Sequence, residues 1–211
     1  MQTLLVATNN PGKWQEMQDL LAGLPLALRS PADLGLALVV EEHGGDYPAN
    51  ARLKATAFAA ASRQWTLADD TGLEVDALGG APGVRSHRLL DDHAGRLPDA
   101  AGTDADRRRL LLMLLQPHPR PWTARFRCAV ALASPDGALD LAEGICPGEI
   151  LPQERGASGF GYDPIFLLQG SDRTMAELSL AEKNQRSHRA RAVQALLPTL
   201  RARLGLPPAP P

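Results

Sequence analysis

Leu67-Ala68-Asp69-Asp70-Thr71-Gly72 sets two adjacent acids at the close of a small apolar run, Trp65 to Ala68, that reads as a short buried strand. Side-by-side carboxylates repel and are costly to bury, so a cation or a proton is needed to hold them together. Magnesium, a hard ion that takes oxygen ligands, suits the pair Asp69 and Asp70. Asp, Thr and Gly are also turn formers, and a solvated turn is the alternative reading of the same residues. Beyond them Leu73, Val75 and Ala77 alternate with Glu74 and Asp76, and Leu78-Gly79-Gly80-Ala81-Pro82-Gly83 follows. A half-buried strand between glycine-rich turns lets backbone come close to a ligand, which favours a site here.

Working outward toward the N-terminus, Trp65 is preceded by a helix expected from Tyr47 onward, with Ala51, Ala55, Phe58, Ala59 and Ser62 on one face. Asn50 and Lys54 lie four apart on it and project together, although a solvated helix lysine is the ordinary case. Leu26 to Arg29 and Leu36 to Val40 read as strands, the second ending in Glu41-Glu42. At the start, Thr3 to Ala7 is a buried strand that stops at Thr8-Asn9-Asn10-Pro11-Gly12-Lys13, and Trp14, Met17, Leu20 and Leu21 then recur at helical spacing. An amide- and glycine-rich loop opening a helix offers free N–H groups and a favourable dipole to an anion such as phosphate, and Lys13 adds charge. The P-loop pattern is absent, and Asn-Asn-Pro-Gly is in any case a good turn.

Toward the C-terminus, Gly95 to Gly102 reads as a polar mobile loop, and Thr103-Asp104-Ala105-Asp106 as the start of a helix that buries Leu110, Leu111, Leu114 and Leu115. Arg107 to Arg109 reads as its solvated face, and Pro117, Pro119 and Pro121 end it. Phe126, Cys128, Val130 and Leu132 alternate with Arg125, Arg127, Ala129 and Ala131 as a strand with one buried face. Ser134-Pro135-Asp136-Gly137 turns it back into Leu139 to Ile145, a hairpin that makes the sheet mixed. Gly156 to Phe166 sets glycines around Phe160, Tyr162 and Asp163; the rings could offer a flat face to a base while Asp163 reads its edge, or could plug a core edge. Ser179-Leu180-Ala181-Glu182 is a capping box that puts Lys183 on a short helix. Ser187-His188-Arg189 opens the last helix, with Ala190, Val193, Leu197, Leu200 and Leu204 inward and a kink expected at Pro198. Cations at a helix start are unfavourable unless an anion compensates.

The 211 residues suffice for one domain, and a net charge of −2 with 44% hydrophobic residues gives no basic footprint for nucleic acid. No apolar run approaches a membrane span, and the first strand begins without a leader, so a cytoplasmic protein without a membrane partner is expected. The two cysteines, Cys128 and Cys146, lack metal-ligand spacing and read as core thiols. No linker separates independent domains, so residues 1–205 are expected as a single domain and 206–211 as a frayed proline-rich tail.

Taken together, Thr8-x-Asn10-x-x-Lys13, Glu41 ahead of Asn50-Ala51-x-x-Lys54-Ala55, Ala68 through Gly83, Gly159 through Phe166, Glu182-Lys183-Asn184 and Ser187-His188-Arg189 resemble the inosine triphosphate pyrophosphatase family. These Ham1-like enzymes hydrolyse non-standard purine nucleoside triphosphates such as ITP, dITP and XTP. The resemblance implies an α/β fold, a long mixed twisted sheet with helices on its faces and two lobes around a central cleft. It also implies a homodimer and a magnesium-dependent reaction giving the nucleoside monophosphate and pyrophosphate. Carried over by position, Thr8, Asn9, Asn10, Pro11, Gly12 and Lys13 hold the triphosphate, Glu41 and Asp70 hold the metal, Asp70 is also the base, and Thr71 touches substrate. Phe160, Gly161, Tyr162, Asp163, Lys183, His188 and Arg189 form the base pocket. Asn9 stands where glycine is common, and Leu89 to Gly102 is unusually rich in acids, Ala and Gly.

Elementary chemistry agrees. Acids alone repel a triphosphate, and magnesium inverts that local sign, while Lys13 and Lys54 add fixed positive charge where the transition state spreads negative charge. A 6-oxo purine presents an acceptor to Lys183 and Arg189, where the amino group of adenine sets donor against donor. Two other readings use the same residues: a nucleotide sensor that does not hydrolyse, and a Maf-like pyrophosphatase for modified pyrimidine triphosphates.

Overall fold

The structure, a computed structural model, describes residues 2–42, 45–97 and 99–208. The first apolar run forms β1 (Gln2–Val6). Asn10 then caps α1 (Pro11–Leu20) by accepting from the Lys13 N–H, with Pro11 pre-set for the first turn. β2 (Leu26–Arg29) is followed by α2 (Tyr47–Ser62), capped by Asp46. β3 (Trp65–Val75) leads to the two-residue β4 (Pro82–Gly83) and the short α3 (Leu89–Asp92). α4 (Asp104–Leu115) starts at a reciprocal capping box between Thr103 and Asp106. The expected hairpin is present as β5 (Trp122–Ala133) and β6 (Leu139–Ile150), closed by the Ser134 N–H on the Ala138 carbonyl. β7 (Phe166–Leu168), α5 (Leu180–Arg186) and α6 (His188–Arg203) complete the order.

The strands form one seven-stranded sheet in the order β2-β1-β3-β5-β6-β7, with β4 on β3. β1 runs parallel to β2 and β3, whereas β3 with β4 and β6 with β7 are antiparallel, so the sheet is mixed as the hairpin required. The chain divides into two compact units. One holds Met1–Asp70, Cys128–Gly144 and Ser187–Pro211, and the other Thr71–Arg127 and Ile145–Arg186. Each has its own core: Leu4, Val6, Met17, Leu67, Val130 and Val193 in the first, and Leu73, Leu111, Trp122, Phe126, Ile165 and Phe166 in the second.

Four expectations change. Asp69 and Asp70 do not end a short strand: β3 continues through them and Thr71-Gly72 to Val75, because each acid meets cations inside the fold and the backbone has no reason to turn out to water. Leu36 to Val40 is not a strand. Its residues alternate between half-buried and exposed but have no partner strand, so the pattern is that of an extended segment lying against the surface. β5 has one buried face only as far as Arg127 and is buried on both faces from Cys128 onward. Leu206, expected in the frayed tail, packs against the first core and donates its N–H to the Arg201 carbonyl, while 209–211 lie outside the described residues. Pro198, expected as a kink, lies within the unbroken α6, and Pro98 of the expected mobile loop lies outside the described residues.

α6 lies close against β6 at Gly144, where an added Cβ would sit 2.2 Å from the His188 carbonyl oxygen and 2.5 Å from the Ala192 nitrogen. Both are backbone atoms, so the helix itself must give way. Gly144→Ala is therefore expected to cost about 2 kcal/mol and lower Tm by about 5 °C, read by thermal melting. An unchanged Tm would contradict so close an approach of helix and strand.

Candidate active site

In β3 successive side chains alternate in direction, so Asp69 and Asp70 point to opposite faces and meet different partners. Asp70 turns to α2. There Asn50 Nδ2 donates to its Oδ2 at 3.0 Å, and Lys54 Nζ stands 3.4 Å from Oδ1. The i, i+4 pair expected to project together thus converges on one carboxylate. Lys54 Nζ also reaches Glu42 Oε1 at 2.7 Å, so a single ammonium faces two acids. Burial raises the pKa of Asp70 against the opposing pull of Lys54, Lys13 and the Asn50 hydrogen bond. Burial disfavours the Lys54 charge, but Asp70, Asp69 and Glu42 outweigh it and raise its pKa.

Asp69 turns to α1 and α6. Its Oδ2 lies 3.0 Å from Lys13 Nζ and accepts from Arg189 Nη2 at 3.0 Å and Nε at 3.2 Å. Arg189 Nη1 donates to Glu16, and the arginine side chain is only 1% exposed. Burial opposes the Asp69 charge, yet Lys13, Arg189 and Lys54 overcome it and hold the carboxyl well below the usual range. These anions also explain a cation in the first turn of α6, where the dipole alone is unfavourable. His188, the first residue of that helix, is buried, and Ser187 caps it by accepting from the Ala190 N–H. Asp69 thus pairs most closely with Lys13 and Arg189 and Asp70 with Asn50 and Lys54, while Lys13 and Lys54 act electrostatically on both carboxylates.

The loop before α1 is ordered from within. Thr8 Oγ1 accepts from the Asn10 N–H at 3.2 Å and Asn10 Oδ1 from the Lys13 N–H at 3.0 Å. Asn9 is exposed, Thr8, Asn10, Gly12 and Lys13 are half-buried, and Pro11 is exposed at the helix start.

The second unit carries a separate group. Asp163 Oδ2 accepts from buried Lys183 Nζ at 2.5 Å and from the Phe160 N–H at 3.0 Å. The Lys183 nitrogen lies 4.8 Å from the Phe160 ring centroid, within range of a cation–π contact. Gly159 has φ +78 and leaves no room for a Cβ, which would fall 2.1 Å from that same Asp163 oxygen. The two aromatics part company. Tyr162 is buried in the second core, its hydroxyl donates to the Ser86 carbonyl at 2.8 Å and burial raises its pKa, whereas Phe160 stays half-buried.

Three participants were not singled out as site residues from sequence: Glu16, Glu42 and Asn50. Asn50 was legible in its spacing to Lys54, and Glu42 in its adjacency to Glu41, which is itself exposed. Glu16 gave no local sign. Arg107 and Arg108, read as a solvated face, are only 13% and 12% exposed, and of that run only Arg109 stays open, at 46%. Thr71, half-buried, follows Asp70 in β3. Among the described residues no three His, Cys, Asp or Glu side chains gather as a self-sufficient metal centre.

A mixed α/β sheet presenting carboxylates, lysines and a capped helix start agrees with what the comparisons give, a hydrolase of phosphoric anhydride bonds. Residues 4–199 match the profile of the Ham1 family, and the chain belongs to that family. The dITP/XTP pyrophosphatase of Gloeobacter violaceus is 48% identical over 198 residues, 93% of this chain and 93% of that protein. That of Bacillus subtilis is 41% identical over 202 residues, 96% of this chain and 98% of its own length. The solved structure of a HAM1 protein from Coxiella burnetii matches with a TM-score of 0.81 at 36% identity, covering 96% of this chain and 100% of that one.

Proposed function

We propose that this chain hydrolyses non-standard purine nucleoside triphosphates, with ITP, dITP and XTP as the class, to the nucleoside monophosphate and pyrophosphate. The observation that carries the reading is the pair of carboxylates, Asp70 and Glu42, facing the one Lys54 ammonium in a chain whose relatives bear the name dITP/XTP pyrophosphatase.

The donor set fits magnesium. Two oxygen-bearing acids meet at a point already held by a positive charge, and magnesium characteristically takes one or two carboxylates with substrate phosphates and waters as the rest. Of the acids Glu41, Glu42, Asp69 and Asp70, the contacts favour Asp70 with Glu42: Asp69 is committed to Lys13 and Arg189, and Glu41 is exposed. Asp70 and Glu42 would hold the ion, which would supply positive charge against the phosphates. The protein's own groups account for the remainder. Thr8 to Lys13 bring backbone N–H groups and an ammonium to the phosphates, and Lys54 neutralises charge that develops as the anhydride breaks. Asp70, which accepts from the Asn50 amide and faces Lys54, is placed to take the proton of the attacking water. In the second unit Lys183 donates to a 6-oxo purine while the Phe160 ring offers a flat face. Arg189 acts through the buried set around Asp69, and the core-bound Tyr162 anchors the loop of Phe160. A cytoplasmic homodimer is the setting that the family resemblance implies; among the described residues no helix is long and apolar enough to cross a membrane.

A panel of triphosphates assayed for pyrophosphate release tests this. ITP, dITP and XTP are expected to exceed ATP by about 10³ or more in kcat/KM, and a chelator is expected to bring release to background. A preference for modified pyrimidine triphosphates would support the Maf-like reading instead, and tight binding of ITP without turnover would support a sensor.

A further inference from the structure

We propose that Asp104 and Arg108, one turn apart on α4, are positioning residues for purine selection: they grip the two peptide planes on either side of Gly161 and so fix the loop that carries Phe160. The inference rests on the proposed function and adds residues that no motif of the chain marks.

The Gly161 N–H donates to Asp104 Oδ2 at 2.8 Å, and Arg108 Nη1 donates to the Gly161 carbonyl at 2.7 Å. Positions 104 and 108 share a helix face, which is why one helix reaches both ends of a single residue. Each holder is itself held. Arg108 Nε and Nη2 fork onto Glu154 at 2.8 and 3.0 Å, and Asp104 Oδ1 accepts from Arg107 Nη1 at 2.9 Å. Arg107 in turn donates from Nε to the His87 carbonyl at 2.8 Å.

What the grip restrains is a glycine at φ +62 with nothing within 4 Å of where a Cβ would be. A glycine in open space has many accessible peptide orientations, so its conformation here is set by its hydrogen bonds and not by packing. The peptide on its N-terminal side joins it to Phe160, whose ring meets Lys183; the one on its C-terminal side joins it to the core-anchored Tyr162. Fixing both planes presents the ring and the lysine in one arrangement before a ligand arrives, which removes ordering cost from binding. The grip makes its described contacts within the second unit and Asp70 its contacts within the first, so loss of the grip should act on binding and selection and not on bond cleavage.

The test is steady-state kinetics of the full chain with ITP and ATP for wild type, Arg108→Ala, Arg108→Lys and, as a control, the exposed neighbour Arg109→Ala, each melted to confirm folding. In Arg108→Ala, KM for ITP is expected to rise about tenfold with kcat within about twofold, and the preference for ITP over ATP to fall by a similar factor. Arg108→Lys is expected to be intermediate, since an ammonium can still donate to the Gly161 carbonyl but cannot also fork onto Glu154. Arg109→Ala is expected to match wild type. A folded Arg108→Ala with wild-type KM and selectivity, or one that loses only kcat and Tm, overturns the proposal. Should Arg108→Ala not fold, Arg108→Lys decides by the same criterion. Wild type that releases no pyrophosphate from any triphosphate sinks the proposed function, and this inference falls with it.

Discussion

Asp70→Asn is expected to lower kcat for pyrophosphate release by at least about a thousandfold while leaving the protein as stable as wild type or slightly more so. The two halves of this result have one cause. Burial makes the ionised form of Asp70 unfavourable in the folded state, which is what raises its pKa. A group whose folded pKa is raised above its unfolded value destabilises the fold while it is charged, so a neutral side chain of the same shape relieves that cost. Asparagine keeps an oxygen for the Asn50 amide and leaves Lys54 paired with Glu42. What it lacks is the negative charge and the basic oxygen that the proposed reaction requires. Pyrophosphate release and a thermal melt of the same preparation read both halves. Turnover within about tenfold of wild type would remove Asp70 from the role of base.

Arg189→Met is expected to have the largest effect on stability. The guanidinium touches both Glu16 and Asp69, and all three side chains are almost wholly buried. With it gone, Glu16 and Asp69 both lose a buried cation while Lys13 and Lys54 still act on Asp69, which leaves under-compensated negative charge inside the first unit. Breaking a buried pair in this way costs about 3–5 kcal/mol, or about 10 °C in Tm for a chain of this size. The pH dependence follows from the sign of the Asp69 shift. Its folded pKa is depressed below the ordinary 3.8, so the stabilisation it provides is fully present above that value and is lost as pH falls through the folded one. The contribution of Asp69 to the wild type should accordingly hold from neutral pH down to mild acid, whereas the variant's under-compensated buried acids take up protons more readily, so the Tm gap is expected to be widest near neutral pH and to narrow as pH falls. A gap of less than about 1 kcal/mol at pH 7 would show that water reaches the cluster and screens it.

Local patterns in the sequence predicted the elements well and the partners poorly, for a physical reason. Asn50 and Lys54 were legible because helical spacing is a local rule, and both do meet Asp70. The capping box at Ser179 and Glu182 was legible on the same ground. Glu16 was not. It sits beside Met17 on an ordinary amphipathic helix, and its buried position makes sense only through Arg189, 173 residues away in the chain. The Asp69-Asp70 pair was legible as a site for positive charge but not in its partners: a strand sends successive side chains apart, and the cations nearest to each acid come from three different helices. Arg107 and Arg108 looked like a solvated charge run because the backbone groups they serve, at His87 and Gly161, carry no sequence signature. Leu36 to Val40 had the composition of a strand without a neighbour to pair with, and pairing is a property of the fold, not of the segment.

The most direct measurement is a ³¹P NMR time course of ITP with the full-length protein and magnesium. Cleavage between the α and β phosphorus at the Asp70 group predicts that the signals of IMP and pyrophosphate grow together in equal amounts. IDP with orthophosphate, or a triphosphate left intact, would contradict it.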